Sequence, residues 1–315
     1  MRVVVPTRAM LVASALCMFA ASHQTLAATC SCAGVPLLSS MESGSPDRGS
    51  WFLSSSYEFH DISDLVSGTD EVRDETGRKR ETQTLVLQAS YGINERFSVS
   101  ALVSAIEHKR TVGQSGTSTG RGIGDAMVML KYTPSKVGLF ERNGITFGIG
   151  SRIPIGDDDK VDFVTLAEDM QPSTGAWAAV FWAQATRSFS RAAKTQILAS
   201  LSYTENFEND RDYQFGDAWS LAFGGTYQTD TPWGFGAELR YRNADRDQRS
   251  SVDIPNTGGE WLDFVPAVQY HFSDSLAGKI SGRIPIWRNL NDALQFTTSY
   301  SISMSISYVF SRRSV

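Results

Sequence analysis

The sequence of 315 residues contains only three cysteines and four histidines, the residues that build disulfide frameworks and many metal centres. It has no long apolar run after its first 28 residues. A transmembrane helix needs ~20 predominantly apolar residues, so none is expected in the rest of the chain. The four histidines include no pair at metal-ligand spacing, and we expect neither a metal ion nor a cofactor. The formal net charge is -5, and we expect no nucleic-acid partner.

The start of the chain is its most apolar segment. Arg2 and Arg8 supply positive charge, residues 10–21 are apolar, and small residues surround Ala27. This order is typical of a secretory signal peptide, which we predict over residues 1–28. A membrane anchor is the alternative, but the apolar run is short and small residues follow it. The chain is therefore expected to be exported.

Export bears on the cysteines, of which Cys30 and Cys32 remain once the signal peptide is removed. In an oxidising compartment their C-S-C spacing allows a small, strained disulfide. Two thiolates also make half of a soft-metal site, which is the less favoured interpretation. The sequence leaves both open.

Strict alternation of small polar and large apolar residues marks the end of the chain, in TTSYSISMSISYVF over 297–310. A period of two is the period of a β-strand, whose side chains point to opposite faces in turn. The segment is longer than an ordinary strand of roughly five or six residues. A tilted strand that crosses a membrane needs about 9–11 residues, so the length favours a membrane strand.

The same alternation recurs elsewhere and separates charged from bulky apolar residues. In WGFGAELRYR, Trp233, Phe235 and Leu239 share one face. In a membrane barrel the charged face must point to the lumen, because a lipid-facing Arg or Lys costs about 2–4 kcal/mol at the midplane. The predicted lumen-facing residues are Lys131, Glu238, Arg240, Arg242, Asp263, His271, Lys279 and Arg283. Their basic members suggest an anion preference, and internal salt bridges that fill the barrel are the favoured alternative.

Short links alternate with longer polar links, as periplasmic turns alternate with outer loops in bacterial barrels. We therefore predict an all-β fold, a transmembrane antiparallel up-and-down β-barrel of about 12 strands with both termini periplasmic. The barrel spans 50–310, with 29–49 as a periplasmic tail or lumen plug and 311–315 as a C-terminal tail. The predicted strands are 50–60, 81–91, 96–108, 121–133, 144–154, 175–188, 193–204, 215–228, 232–244, 260–272, 275–286 and 295–310. Pro266 removes a ladder hydrogen bond, so a bulge is expected there.

Two segments carry a resemblance to a known family. GIGDAMVMLKYTP (122–134) resembles a strand motif of a bacterial family of outer-membrane transporters of the phenol meta-degradation pathway. QPSTGAWAAVFWAQATRSF (171–189) resembles a second motif of that family, in which Gln-Pro and a glycine precede a strand that enters from an outer loop. The resemblance covers most of the mature chain and implies a porin-like barrel for small, aromatic or hydrophobic solutes. The last strand, ending at Phe310, is similar to the C-terminal aromatic signature for outer-membrane insertion.

Passive passage of a small solute across the bacterial outer membrane is the function that these features favour. A structural or surface-interaction barrel with a closed lumen is the alternative. An outer-membrane lipid hydrolase is less favoured because His271 points inward, and no catalytic residue is predicted. The expected partners are outer-membrane lipid and lipopolysaccharide, the outer-membrane insertion machinery and a small-molecule solute.

Overall fold

The computed structural model describes residues 46–113, 116–134, 143–162, 164–189 and 194–310. The predicted signal peptide, both remaining cysteines and the predicted C-terminal tail lie outside the described residues. Within the described ranges, no helix is long and apolar enough to cross a membrane.

Twelve long strands close into a barrel, and short strands occupy the links between them in the described part of the chain. The barrel strands are β1 (Trp51–Ile62), β4 (Arg78–Gly92), β5 (Phe97–Val112), β6 (Thr117–Tyr132), β7 (Asn143–Ile153), β10 (Ala178–Ser188), β11 (Thr195–Asn206), β13 (Ala218–Gln228), β14 (Trp233–Ala244), β17 (Gly259–His271), β18 (Leu276–Leu290) and β20 (Tyr300–Phe310). The link strands are β2 (Asp64–Ser67), β3 (Asp70–Val72), β8 (Val161–Asp162), β9 (Val164–Thr165), β12 (Tyr213–Gln214), β15 (Gln248–Arg249), β16 (Val252–Asp253) and β19 (Gln295–Thr297). A 3-10 turn covers Glu168–Met170.

Each barrel strand pairs antiparallel with the barrel strand that follows it in sequence, and β20 pairs with β1 to close the ring. The closing register runs from Trp51 opposite Phe310 to Asp61 opposite Tyr300. A closed ring leaves no free strand edge, which is what lipid requires of a membrane-spanning sheet. The predicted antiparallel barrel of twelve strands is therefore confirmed.

The two ends of the barrel differ in the length of their links. One end of the barrel holds the start of β1 and the last residue of β20, and we call it the terminal end. Its links are short turns such as 93–96 and 272–275. The opposite end, called the loop end, has links that form small sheets of their own, β2 with β3 and β19, β12 with β15 and β16, and β8 with β9. Residues 109–121, which separate two of the predicted strands, are mostly strand in the described ranges. β5 and β6 continue past the barrel wall as a hairpin that pairs as far as Thr111 and Thr117.

The outer surface of the barrel is an apolar belt between two rings of aromatic residues. Large apolar side chains such as Leu239 are exposed on it, at 44%. The ring centroids of Trp51 and Tyr91 lie 4.8 Å apart at the terminal end, and those of Trp219 and Tyr241 lie 5.0 Å apart at the loop end. This arrangement is the outer surface of a barrel that spans a membrane.

The ladder between β17 and β18 is irregular near Pro266, but the bulge is not at that residue. The register shifts between Leu262 and Asp263, which oppose Trp287 and Pro285. The sequence-based position was therefore wrong by a few residues. The physical reason is a second proline on the neighbouring strand, Pro285, which also lacks an N–H for the ladder.

Candidate functional site

The barrel contains a cavity of about 160 Å³ in the half nearer the loop end. Strand alternation decides which side chains line it. On β11, Ser200, Ser202 and Thr204 line the cavity, whereas Leu201 and Tyr203 between them are exposed on the outer surface. β11 therefore offers the cavity only every second residue.

Three arginines on two strands form the main charged group of the wall, and we call Arg240, Arg242 and Arg283 the arginine cluster. Arg240 donates two hydrogen bonds to Oε1 of Glu238, from Nε at 3.0 Å and from Nη2 at 2.7 Å. The guanidinium carbon of Arg242 lies 4.0 Å from the ring centroid of Trp261. The charge of Arg242 is thus held against the face of an indole.

Arg283 differs from its two neighbours in its contacts. Its Nε lies 3.8 Å from Oδ2 of Asp263, which is too far for a hydrogen bond. The same Nε is buried and has no hydrogen-bond partner among the described residues. The charges of Arg240 and Arg242 act on it, together with those of Asp263 and Glu58.

A histidine pair lies on the wall formed by β1, β4 and β5. Nε2 of His60 is 3.3 Å from Oε2 of Glu58. Nδ1 of His108 is 2.9 Å from Oγ1 of Thr82 and 3.2 Å from Nη2 of Arg80. Because an arginine can only donate, Nδ1 of His108 is an acceptor, and the neutral ring carries its proton on Nε2.

The link between β7 and β10 folds into the loop end of the barrel, and we call residues 154–177 the inserted segment. Asp125 on β6 holds it. Oγ of Ser173 donates to Oδ1 of Asp125 at 2.5 Å, and Oγ1 of Thr174 donates to Oδ2 at 2.7 Å. Nε of Arg152 lies 3.3 Å from the same Oδ2. The carboxylate thus connects two barrel strands with the inserted segment.

Two acidic residues of the 3-10 turn attach the inserted segment to the rest of the loop end. Asp169 accepts from Arg80 at 2.9 Å and also pairs with Arg110. Glu168 accepts from Nε and Nη2 of Arg211, at 2.9 Å and 2.6 Å. These hydrogen bonds to Glu168 raise the pKa of Arg211 above its ordinary value. A two-pronged pair of this kind fixes orientation as well as distance.

An apolar patch covers part of the interior wall below the inserted segment. Its buried members are Val86, Leu102, Met127, Met129, Val180 and Trp182. Gly148 makes room for it, because a Cβ at this position would lie 2.6 Å from Sδ of Met129 and 3.3 Å from the indole of Trp182. Nζ of Lys131 lies 5.0 Å from the ring centroid of Trp182. The charge of Lys131 is thus held against an aromatic face.

The opposite wall is lined by small residues towards the terminal end. Ser303, Ser305 and Ser307 of β20 face inward and are half-buried. Lys279, which opposes Ser305 across the ladder, shares this inward face and is nevertheless exposed. A side chain that points inward and is exposed shows that this part of the interior is open to solvent.

The residues predicted to face the lumen fall into two groups. Arg240, Arg242, Asp263 and Arg283 line the cavity together, and Glu238 binds one of them. Lys131 is fully buried beside the apolar patch, while His271 and Lys279 lie at the terminal end, away from the cavity. The structure therefore brings five of the eight into one site.

Several residues of the site were missed from sequence, although a signal existed for some of them. Arg152 lies two and four residues after the inward glycines Gly150 and Gly148, so the alternation rule applied to β7 would have placed it in the lumen. Asp125 has the parity of Lys131 on β6. His60 sits at the end of β1 with the parity of Glu58. The contacts of the inserted segment had no such signal.

No three His, Cys, Asp or Glu side chains are grouped for metal binding in the part of the chain that the structure describes. The acidic run in the inserted segment is engaged with cations of the chain. Asp157 lies 2.6 Å from Lys160, and Asp158 lies 2.9 Å from Arg211.

A family model described as "Putative MetA-pathway of phenol degradation" matches residues 64–286. Among solved structures, an outer membrane channel from Pseudomonas putida F1 is 11% identical, with a TM-score of 0.66 over 84% of this chain and 96% of that one. The CymD monoaromatic hydrocarbon channel is 12% identical, with a TM-score of 0.41 over 85% of this chain and 90% of that one. No curated protein sequence matches the chain. The chain has the fold of an outer-membrane barrel, and its place is the bacterial outer membrane.

Proposed function

We propose that this chain, which belongs to the MetA-pathway of phenol degradation family, is a passive outer-membrane channel for small solutes. One observation carries the proposal. The closed barrel has an interior that solvent reaches, because Lys279 faces inward and is exposed, and it holds a cavity of about 160 Å³. A barrel of about eight strands is filled by its own side chains, whereas one of about sixteen leaves an aqueous channel. Twelve strands leave room for small solutes only.

The family suggests the chemistry of the solute, and the barrel suggests its orientation. A family of phenol degradation favours small aromatic or hydrophobic solutes. We place the terminal end in the periplasm, because short turns in bacterial barrels are periplasmic and long loops are external. Outer-membrane lipid and lipopolysaccharide would then contact the apolar belt. The outer-membrane insertion machinery would act on β20, which ends at Phe310.

A second candidate is a structural or surface-interaction barrel with a closed lumen. The inserted segment favours it, because Asp125, Glu168 and Asp169 attach this segment across the loop end. In that case the external loops, and not the interior, would carry the function. The two candidates differ in whether solutes cross.

Single-channel recording in a planar lipid bilayer separates them. The refolded protein without residues 1–28 would be measured with and without residues 29–49. Steady current in either form supports the channel, and current only after truncation makes 29–49 a plug. Absence of current in both forms contradicts passive passage and leaves the closed barrel.

A further inference from the structure

The interior contains a largely buried arginine, Arg283, whose Nε donor is not used within the described part of the chain. The Arg283 side chain is 13% exposed, and its Nε has no hydrogen-bond partner among the described residues. A guanidinium has five N–H donors. A buried charged group without hydrogen bonds is expensive, and such a group in a folded protein calls for an explanation. A ligand that binds here would supply the missing acceptors.

The surroundings of Arg283 favour an anion as that ligand. Arg240 and Arg242 place two further positive charges within electrostatic range, while the nearest carboxylate oxygen of Asp263 remains at 3.8 Å. Glu238 is already engaged by Arg240 at 2.7 Å, and Glu58 lies against His60. An incoming anion would therefore relieve repulsion between like charges at short range.

Arg152, another buried arginine of the cavity wall, likewise has an Nε without a hydrogen-bond partner among the described residues, but it differs from Arg283 in its position. It lies on β7, on the far side of the barrel from β18, and its Nε is 3.3 Å from Oδ2 of Asp125. It thus belongs to the contacts that hold the inserted segment. Arg283 has no comparable role, since none of the loop-end residues that the structure describes is attached to it.

The wall across the cavity from Arg283 includes the apolar patch beside Arg152. Met127, Val180 and Trp182 of the apolar patch line the same cavity as the arginine cluster. A solute with one anionic end and an apolar body would thus find a partner for each part. Planar carboxylates match the forked donors of a guanidinium better than spherical anions do.

We propose that the cavity binds organic carboxylates with an apolar body, with the carboxylate on Arg283 and the adjoining arginines Arg240 and Arg242. This inference rests on the proposed passage of solutes through the same cavity, and it names their chemical class. Aromatic carboxylates fit both parts of the site. Their neutral analogues lack the group that the arginine cluster recognises.

Binding is measured by titration calorimetry on the refolded, detergent-solubilised protein without residues 1–28. Benzoate is the probe, and benzyl alcohol is its neutral analogue of similar size. We expect saturable binding of benzoate, and we expect benzyl alcohol to bind at least about tenfold more weakly. Arg283→Gln should weaken benzoate binding about tenfold, equivalent to about 1.4 kcal/mol. Arg187→Gln is the matched control, because Arg187 is an exposed arginine at the end of β10.

Each outcome bears on one idea. Equal binding of benzoate and benzyl alcohol overturns the carboxylate site, and so does benzoate binding that Arg283→Gln leaves unchanged. Arg283→Lys keeps the charge without the fork, so intermediate affinity supports the site even if the Gln variant folds poorly. Channel current without benzoate binding contradicts the carboxylate site but supports the channel. Benzoate binding without current contradicts passive passage but supports the carboxylate site.

Discussion

Both carboxylate oxygens of Asp125 accept hydrogen bonds from Thr174, a residue far away in sequence. Oγ1 of Thr174 donates to Oδ2 at 2.7 Å, and the backbone N–H of Thr174 donates to Oδ1 at 3.2 Å. Both groups are buried. The contact fixes the end of the inserted segment against the wall of the barrel, and it explains why an aspartate stands on an inward position of β6.

Asp125→Asn is expected to release the inserted segment. The amide keeps the shape but loses one acceptor oxygen and the ion pair with Arg152. Hydrogen bonds to a charged group contribute about 1.5–3 kcal/mol each, so the docked state should lose roughly that amount. We expect faster proteolysis within 154–177 and a larger single-channel conductance, measured on the folded protein.

Asp159→Asn is the control for this variant. Asp159 lies in the inserted segment and, like Asp125, is an aspartate, but it is exposed. Its removal should change neither the proteolysis rate nor the conductance. Equal behaviour of the two variants would show that Asp125 does not hold the segment.

Gly156→Ala tests the close approach at the start of the inserted segment. A Cβ here would lie 1.8 Å from the backbone oxygen of Ile123, a distance that forces the backbone apart. Overpacking of this kind costs typically about 1–3 kcal/mol. We expect faster amide hydrogen exchange in 154–162. Gly282→Ala, whose Cβ would meet nothing nearer than the backbone oxygen of Ser301 at 3.9 Å, should leave exchange unchanged.

Leu239→Arg tests the assignment of the outer surface. Leu239 is exposed on β14 between Phe223 and Phe264 of the flanking strands. In lipid, an arginine near the midplane should lower the free energy of unfolding by about 2–4 kcal/mol. Reversible urea unfolding in lipid vesicles measures the change.

Ser303→Arg is the inward counterpart of that variant. Ser303 opposes Glu58 across the ladder, so an arginine there gains an acidic neighbour and water. Its cost should be well below that of Leu239→Arg. If the two variants lost equal stability, the assignment of outer and inner faces would be wrong.

The strands could be predicted from sequence because two solvents impose one rule along the whole barrel. Lipid outside and water inside force alternation, and an error of one residue would turn every side chain to the wrong face. The seventh predicted strand, 193–204, and the fifth, 144–154, thus lie within two residues of the observed Thr195–Asn206 and Asn143–Ile153. The ladder near Pro266 was less predictable, because the bulge depends on Pro285 of the neighbouring strand.

Inside the barrel, the sequence predicts which side chains point inward but not which residues they contact. Alternation places Arg240, Arg242 and Arg283 on the inner face, but it does not say that Trp261 lies against Arg242. Nor does it say that Nε of Arg283 has no hydrogen-bond partner among the described residues. Likewise, the two motifs that carry the family resemblance contain Asp125 and Thr174. Their contact depends on the path of the inserted segment, and no local pattern specifies that path.

Asp247 makes the loop end sensitive to pH. It lies between β14 and β15, outside the membrane-spanning strands, and is 2% exposed. Tyr213 donates from its hydroxyl to Oδ2 at 2.6 Å, and the backbone N–H of Gly216 donates to Oδ1 at 2.8 Å. Burial raises the pKa of Asp247 to about 6, from an ordinary value of 3.8, and these hydrogen bonds only partly oppose it.

A raised carboxyl pKa means that the folded loop end binds the proton more tightly than the unfolded chain does. The contribution of Asp247 to stability should therefore fall as pH rises from about 4 to about 6. Its slope is at most about 1.4 kcal/mol for each pH unit, and it levels off above that window. As pH rises through this window, we expect the unfolding free energy of the wild type to fall relative to that of Asp247→Asn. The variant keeps an acceptor for the N–H of Gly216, and its side chain does not titrate. The measurement is urea unfolding of both proteins in vesicles at pH 4, 5, 6 and 7, with Asp159→Asn as the control that should follow the wild type. A difference that stays constant with pH would mean that Asp247 ionises in the folded protein as it does in the unfolded chain, and that its burial does not determine its charge.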